Sequence, residues 1–267
     1  NDFSFEALCG VTGFEEDKTL EVMERMLKTG LVKERVIRGE DVYSFADIVI
    51  RDVVHEEVSH LRHKKLHGVV GCALEKAYAK KIDEHLGELA LHFLESGDKE
   101  KALDYFLKAG DKAAKIYANS EAASYFQSAL KLLEEKEGEF REKGSVLERL
   151  GDIKKIVGEY DACMKYWNEA LLLWKQLHEK ENVSRLHRKI ANVLWEEIGD
   201  NEKAKGHHDE ALKILEAEPE SVELASLYED MAHMYYRIGD MTKALSWAAK
   251  ALELAKKLNA YEVIASS

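Results

Sequence analysis

Residues 239–251, GDMTKALSWAAKA, carry the pattern that decides the fold. Gly239-Asp240 is typical of a loop between two helices. A small residue, Ala244, follows five positions after the glycine, and a second, Ala251, follows seven positions later. The same arrangement begins at three earlier glycines, in residues 97–109, 158–170 and 199–211. Small residues at two fixed places allow the close helix approach that stacked helical hairpins require.

The spacing of these copies indicates a repeat. A further copy in residues 116–134, IYANSEAASYFQSALKLLE, has Tyr117 where the glycine would stand. The second small residues are spaced by 20, 41, 41 and 40 positions, from Ala109 through Ala129, Ala170 and Ala211 to Ala251. Bulky residues at helical spacing around them supply the apolar face that each hairpin buries.

This register resembles the tetratricopeptide repeat, whose usual period is about 34 residues. The longer period here predicts that each helix gains nearly one turn. Asn192 and Lys154 depart from the repeat pattern without breaking its register. We therefore expect an all-α fold, a right-handed superhelix of about five tetratricopeptide-like hairpins, over residues 83–267.

The N-terminal residues follow a different pattern. Two helical stretches, FSFEALCG and EEDKTLEVMERMLKTG, precede an apolar stretch LVKERVI, the turn Arg38-Gly39-Glu40-Asp41 and an aromatic stretch VYSF. Two helices followed by a β-hairpin are the order of a winged helix. The sequence predicts a small partial winged-helix domain over residues 1–46, and connecting helices over residues 47–82.

The composition of the chain limits the classes of protein to which it can belong. The chain has 267 residues, 46% of them apolar, a net charge of −12 and a single proline, Pro219. Its three cysteines form no CxxC pair, so they indicate neither a disulfide framework nor a zinc knuckle. No apolar run reaches the length of a membrane span. We expect a helical protein of the cytoplasm.

The order of motifs also resembles the region after the nucleotide-binding module in STAND-class signal-transduction ATPases, including relatives fused to nucleotide cyclases, kinases or LuxR-type regulators. The matching stretches cover about half of the chain. They are FSFEALCGVTG, EEDKTLEVMERMLKTGLV, VYSFADIVIRDVVHEEVSHLRHKKLHGVVGCALE and LALHFLESGDKEKALDYFLKAGDKAAKIYANSEAASYFQSALKLLE. No GxxxxGK[ST] motif occurs, so the phosphate loop of such an ATPase is absent from this sequence. The resemblance implies a piece of a longer protein, in which the winged helix packs as a lid on an intramolecular nucleotide-binding module.

Two features of the sequence bear on other chemistries, metal binding and DNA binding. His60, His63 and His67 lie at helical spacing with His55 upstream, which suits a metal ion, but the surrounding Arg62, Lys64 and Lys65 argue against one. The predicted recognition helix has five acidic and three basic residues between Glu15 and Lys28, which argues against tight DNA binding. We therefore expect no metal, no cofactor and no nucleic acid.

The surface of the repeats is the preferred site. First helices line the concave side of such an array, and nine positions are predicted to face a protein or peptide partner: Glu148, Asp152, Lys155, Lys189, Val193, Glu196, Glu229, His233 and Tyr236. The four tryptophans are predicted to be core, whereas His207-His208 and the run Glu134 to Glu137 are predicted to be solvated surface. No nucleophile motif occurs, so catalysis is not expected.

The sequence therefore leaves three candidate functions. The favoured one is a non-catalytic sensor and interaction region of a STAND-like ATPase, in which a ligand on the array shifts the winged helix. The others are a DNA-binding regulator with a repeat sensor, and a freestanding scaffold or adaptor. An adaptor for acidic peptide termini would need a clamp of lysines and arginines, which the nine positions do not supply.

Overall fold

Antiparallel helical hairpins make up most of the chain. The computed structural model describes residues 3–37 and 40–260. In chain order the elements are β1 (Phe3–Ser4), α1 (Phe5–Thr12), α2 (Glu16–Lys28), β2 (Val32–Ile37), β3 (Glu40–Phe45), α3 (Ile48–Glu57), α4 (His60–Ala77), a 3₁₀ turn (Ile82–His85), α5 (Leu86–Ser96), α6 (Lys99–Lys115), α7 (Asn119–Glu134), α8 (Phe140–Ile156), α9 (Tyr160–Gln176), α10 (Lys180–Val193), a π-helical turn (Leu194–Ile198), α11 (Asn201–Leu215), α12 (Val222–Ile238) and α13 (Met241–Leu258).

The chain divides into two compact units, with the boundary between Leu132 and Leu133, inside α7. The N-terminal unit thus contains the first repeats as well as the segment predicted as a separate domain. The C-terminal unit contains the hairpins α8/α9, α10/α11 and α12/α13. No helix among the described residues is both long enough and apolar enough to cross a membrane.

A small sheet opens the N-terminal unit. The strands are antiparallel in the order β1-β3-β2, with Phe3 opposite Tyr43 and Val32 opposite Phe45. Met23 of α2 packs with Val32 and Tyr43 in the core of this region. The predicted order of two helices and two strands is present, and the fold adds β1, whose two residues are too few to show an alternating pattern. Part of the predicted turn, residues 38 and 39, lies outside the described residues.

The Gly-Asp pairs work as paired helix caps. Gly97, Gly199 and Gly239 end one helix with φ between 83° and 89°, a left-handed conformation that glycine adopts without strain. The following aspartates begin the next helix, because each carboxylate accepts a hydrogen bond of 3.1 Å from the backbone N–H three residues on. Tyr117, which replaces the glycine in the divergent copy, also takes a positive φ of 59°. The turn geometry therefore persists where the sequence signature is lost.

The predicted small positions lie at the centre of the packing. All of them are buried, with at most 5% of their surface exposed: Ala102, Ala109, Ala122, Ala129, Cys163, Ala170, Ala204, Ala211, Ala244 and Ala251. The prediction of an all-α array of tetratricopeptide-like hairpins with a small N-terminal β-structure is confirmed. Helices α8, α9, α12 and α13 have 17 or 18 residues, as the long period predicts.

The number of hairpins stays a prediction of about five. Among the described residues, each copy that carries a Gly-Asp or Gly-Glu pair has two packed helices, α5/α6, α8/α9, α10/α11 and α12/α13. The divergent copy is the single helix α7, which follows α6 directly and has no first helix of its own. This missing helix accounts for the short spacing of 20 residues between Ala109 and Ala129.

Enlarging one of the buried alanines should damage the C-terminal unit locally. Ala211→Leu should lower the free energy of unfolding by about 1–3 kcal/mol, because the added isobutyl group overpacks a site with no exposed surface. The matched control is Ala249→Leu at an exposed position of α13, which should change it by less than about 0.5 kcal/mol. Hydrogen exchange checks this. Equal protection in the two variants would contradict the repeat register.

Candidate functional site

Helices α8, α10 and α12, the first helices of the three hairpins, are joined by ion pairs across the C-terminal unit. Arg185 on α10 pairs with Glu148 on α8, and Arg188 on α10 pairs with Glu223 and Asp230 on α12. Each pair joins residues roughly one repeat apart in sequence. We call the surface that carries the nine predicted positions on these helices the first-helix face.

Glu148 is the most buried charged residue among the nine predicted positions, at 7% exposure. Its two carboxylate oxygens accept hydrogen bonds from Nε and Nη2 of Arg185 at 3.0 and 2.9 Å, and Oε1 also accepts from Nζ of Lys189 at 2.9 Å. Burial alone would raise the pKa of Glu148, but the hydrogen bonds from Arg185 and the charge of Lys189 outweigh it, so this pKa lies below its usual value. Glu148 is therefore a charged, fully engaged support rather than a free ligand contact.

Lys189 connects this cluster to the hairpin core. Its Nζ lies 2.8 Å from both carboxylate oxygens of Asp152, whose Oδ1 also accepts a hydrogen bond of 3.1 Å from Nε1 of Trp167. The same indole N–H lies 3.2 Å from the carbonyl oxygen of Glu148. A buried aromatic side chain thus holds the carboxylate of Asp152 and the backbone of Glu148, and Lys189 cannot turn toward a partner without losing three hydrogen bonds.

Arg188 forms the second junction. Its Nε donates to Glu223 and its Nη1 donates to Asp230, each at 2.9 Å. Burial would lower the pKa of Arg188, but the two carboxylates outweigh this and raise it. Removing either partner of such a pair would leave a poorly solvated charge without its counter-charge, which costs free energy. The junction between α10 and α12 is therefore rigid.

Four of the nine predicted positions reach the surface of this face. His233 and Tyr236 are 54% and 62% exposed, Glu196 is exposed, and Lys155 is half-buried. Partial burial raises the pKa of Glu196, opposed by the charge of Lys155. Within the described residues the side chain of Lys155 makes no ion pair or hydrogen bond, so its ammonium group is available to a partner.

The other predicted positions lie beneath this surface. Glu148, Asp152 and Lys189 belong to the ion-pair network, and Glu229 is half-buried with its carboxylate 3.6 Å from His233. Val193 is fully buried, at 0% exposure, so its prediction as a partner contact is wrong. The apolar side chain at this position is part of the core.

Sequence reasoning missed Arg185, Arg188, Glu223 and Asp230. A usable signal was present, because Arg185 and Glu148 are 37 residues apart and Arg188 and Asp230 are 42 apart. Opposite charges about one repeat period apart on first helices place their side chains on adjacent helices.

The structure also corrects the predicted exposure of His207-His208 on α11, which lie near a histidine of α10. His207-His208 was predicted as solvated surface, but His208 is 0% exposed and His207 is half-buried. His207 Nδ1 lies 2.9 Å from His187 Nδ1, and neither His187 Nε2 nor His208 Nδ1 has a hydrogen-bond partner among the described residues. Burial lowers the pKa of both His187 and His208 to about 4, helped by the charges of Lys175 and Arg188 respectively.

The remaining predictions of surface and core residues are partly confirmed. Glu134, Glu135 and Glu137 are exposed as predicted. Trp167, Trp174 and Trp195 are buried as predicted, but Trp247 is only half-buried. Its ring lies at a tilt beside that of Tyr228, and Nζ of Lys250 lies over it, on the last described hairpin.

Comparison with known proteins agrees with the repeat fold. Residues 142–217, which span most of α8 through α11, match the family model described as tetratricopeptide repeat. No curated protein matches the sequence of this chain. The family match covers less than a third of the chain and includes two of the three helices of the first-helix face.

Solved structures share the fold at low identity. BtubC (BKLC) from P. vanneervenii aligns with a TM-score of 0.59 at 18% identity, over 78% of this chain and 86% of that one. The apo form of RapI gives 0.59 at 15% identity, over 94% and 62%. A Rap protein complexed with Competence and Sporulation Factor gives 0.55 at 14% identity, over 81% and 60%. This chain therefore spans less than two thirds of the Rap chains. The fold is that of a tetratricopeptide-type helical repeat protein.

The buried imidazoles predict that acid destabilises the C-terminal unit. In the unfolded chain the pKa of a histidine returns to about 6.5, so between pH 6.5 and 4 the unfolded state binds more protons than the folded one. The free energy of unfolding is therefore highest above pH 6.5 and falls as the pH drops, by about 1–2 kcal/mol per imidazole at pH 5. Urea unfolding followed by tryptophan fluorescence measures this, since all four tryptophans lie in the C-terminal unit.

A pair of variants isolates the effect. His208→Gln cannot take up the proton and should reduce the pH dependence, whereas the exposed His178→Gln should leave it unchanged. A His208→Gln variant with the full pH dependence of the wild type would show that the buried imidazole is not its source.

Proposed function

We propose that this chain is the non-catalytic sensor region of a cytoplasmic signalling protein, and that the first-helix face of its C-terminal unit binds a peptide or protein partner. The observation that supports the proposal is that this face has two levels, a lower level of paired charges and an upper level of surface side chains. Paired charges hold α8, α10 and α12 in place below, and the half-buried Lys155 and the exposed Glu196, His233 and Tyr236 lie above them.

The two levels suit recognition of a polar segment. The supporting charges satisfy one another, so a partner does not have to compete with them or reorganise the helices, and the cost of ordering the surface is low. The upper level offers a cation, a carboxylate, an imidazole and an aromatic ring. A peptide backbone and mixed side chains match these groups, and a phenol such as that of Tyr236 is a frequent anchor in interfaces.

The cations of this face argue against an adaptor for acidic peptide termini. Arg185, Arg188 and Lys189 are each engaged by two carboxylates or by one carboxylate in two hydrogen bonds. A carboxylate clamp needs several available cations, and of the two lysines among the nine predicted positions, all of which the structure describes, only Lys155 is available. Among solved structures with this fold, Rap proteins are seen with Competence and Sporulation Factor and with the Phr* peptide, which supports a peptide as the partner of this chain too.

The signalling context is the wider part of the proposal. The resemblance to STAND-class ATPases makes the N-terminal helices and strands a winged helix that packs on a nucleotide-binding module outside this chain. Partner binding would then bias that module between two states, as differential affinity for two conformations requires. The predicted order of α1, α2, β2 and β3 supports this assignment.

The second candidate, a DNA-binding regulator, follows from the same N-terminal elements. It is disfavoured because the segment from Glu15 to Lys28, which contains α2, carries five acidic and three basic residues. At about 150 mM salt, fluorescence anisotropy with random-sequence duplex DNA should show no appreciable binding. Tight binding that weakens steeply with salt would favour the regulator.

The partner surface is tested with peptides selected from a random display library against the chain. Lys155→Ala and Tyr236→Ala should each weaken the best selected peptide by at least about tenfold, because each removes an upper-level contact without touching the ion pairs. Lys165→Ala, an exposed lysine on the second helix α9, is the matched control and should bind normally. Isothermal titration calorimetry gives the affinities. Peptides that bind tightly and ignore both changes would refute the assignment of this face.

A further inference from the structure

Four histidines from three helices meet in the N-terminal unit. His55 lies near the end of α3, His63 and His67 lie on α4, and His92 lies on α5. One ring nitrogen each of His55, His63 and His67 lies within 4.8 Å of the other two. The ring centroids of His55 and His63 are 3.9 Å apart, and those of His67 and His92 are 5.0 Å apart.

We propose that His55, His63 and His67 bind a divalent transition-metal ion of the zinc class. This site is separate from the first-helix face and does not depend on the proposed function. Three imidazoles are a donor set that zinc accepts, with the fourth tetrahedral position left to water.

The spacing on α4 favours this assignment. His63 and His67 are four residues apart, so they project from one helix face, as paired histidine ligands of zinc do. In a tetrahedral site with Zn–N bonds of about 2.0–2.1 Å, the ligand nitrogens are about 3.3 Å apart. The rings must therefore close by roughly 1.5 Å at most. His55 is exposed and His63 and His67 are half-exposed, which leaves them room to rotate.

Hydrogen bonds already orient two of the rings. Nε2 of His63 lies 3.2 Å from the carbonyl oxygen of His55, and since a carbonyl only accepts, this nitrogen is the donor. The neutral ring then has its lone pair on Nδ1. Nδ1 of His67 lies 3.1 Å from Nδ1 of His92, and donation by His67 leaves its Nε2 lone pair for a metal. Such outer partners commonly fix the tautomer of a metal-binding histidine.

The basic residues that argue against a metal in the sequence, Arg62, Lys64 and Lys65, are all exposed. Lys65 also lines a groove of about 730 Å³ with residues of α1 and α5. The carboxylate of Glu95 also acts electrostatically on His67, which partly offsets the local positive charge. His60, which the sequence pattern groups with His63 and His67, is not part of the cluster in the structure.

A metal here would fasten α3 to α4. None of the ten residues of α3 is buried, and its apolar side chains Ile48, Val49 and Val53 are more than half exposed. Little apolar packing therefore holds this helix. A metal bond from His55 to the ligands on α4 would order the end of α3, because binding to the folded form alone stabilises it.

The test is a zinc titration of the untagged, metal-stripped chain in competition with a chromophoric chelator. The wild type should bind one Zn²⁺ at this site. His63→Ala and His67→Ala should each weaken binding by at least about tenfold, and His92→Ala by about tenfold through loss of the outer partner. The matched control is His60→Ala on the same helix, which should bind like the wild type. Circular dichroism confirms that each variant retains its helices.

Hydrogen exchange supplies a second readout. Zn²⁺ should slow exchange in residues 48–57 of the wild type and of His60→Ala, and should have no effect in His63→Ala. Zinc affinity that is equal in the wild type, His63→Ala and His67→Ala would overturn the proposal, as would no binding by the wild type at 100-fold excess of zinc or binding that leaves α3 unchanged.

Discussion

Gly151 on α8 lies directly against the indole ring of Trp167 on α9, so closely that a methyl group at Gly151 would overlap the ring. Gly144 makes the same kind of contact with Trp174 in this hairpin, and Gly110 with Phe126 in the N-terminal unit. A large ring thus fills the space that a missing side chain leaves. This pairing sets the distance between neighbouring helices, because close-packed interiors tolerate neither a void nor an added methyl group there.

The packing of Trp167 has a consequence for the surface. Its N–H, held by the contact with Gly151, meets the carbonyl oxygen of Glu148 and the carboxylate of Asp152. Those two acidic residues then position Lys189, which reaches across from α10. The core of one hairpin therefore determines the geometry of the polar network between two hairpins. The surface residues of this face lie above the polar network and are held in place by it, which is why we assign partner binding to them.

The repeat register could be predicted from the sequence because it depends on local, periodic features: a glycine in a left-handed turn and alanines at fixed spacing. Features that depend on neighbours distant in sequence were harder to predict. Val193 has the register of a surface position but the chemistry of the core, and His208 is a polar residue in a buried place. The partners of Arg185 and Arg188 lie 35 to 42 residues away, so only a comparison of charges between repeats reveals them.

A comparison of two glycine variants tests the central claim, that close contact between ring and glycine holds the C-terminal unit and its face. Gly151→Ala should lower the free energy of unfolding by about 1–3 kcal/mol, measured by urea unfolding with tryptophan fluorescence. Gly206→Ala on α11, where no described atom outside the adjacent backbone of that helix lies within 4 Å of the added methyl group, should raise it by about 0.4–1 kcal/mol. If Gly151→Ala is as stable as Gly206→Ala, the contact with Trp167 does not constrain the fold, and the account of the face above it fails.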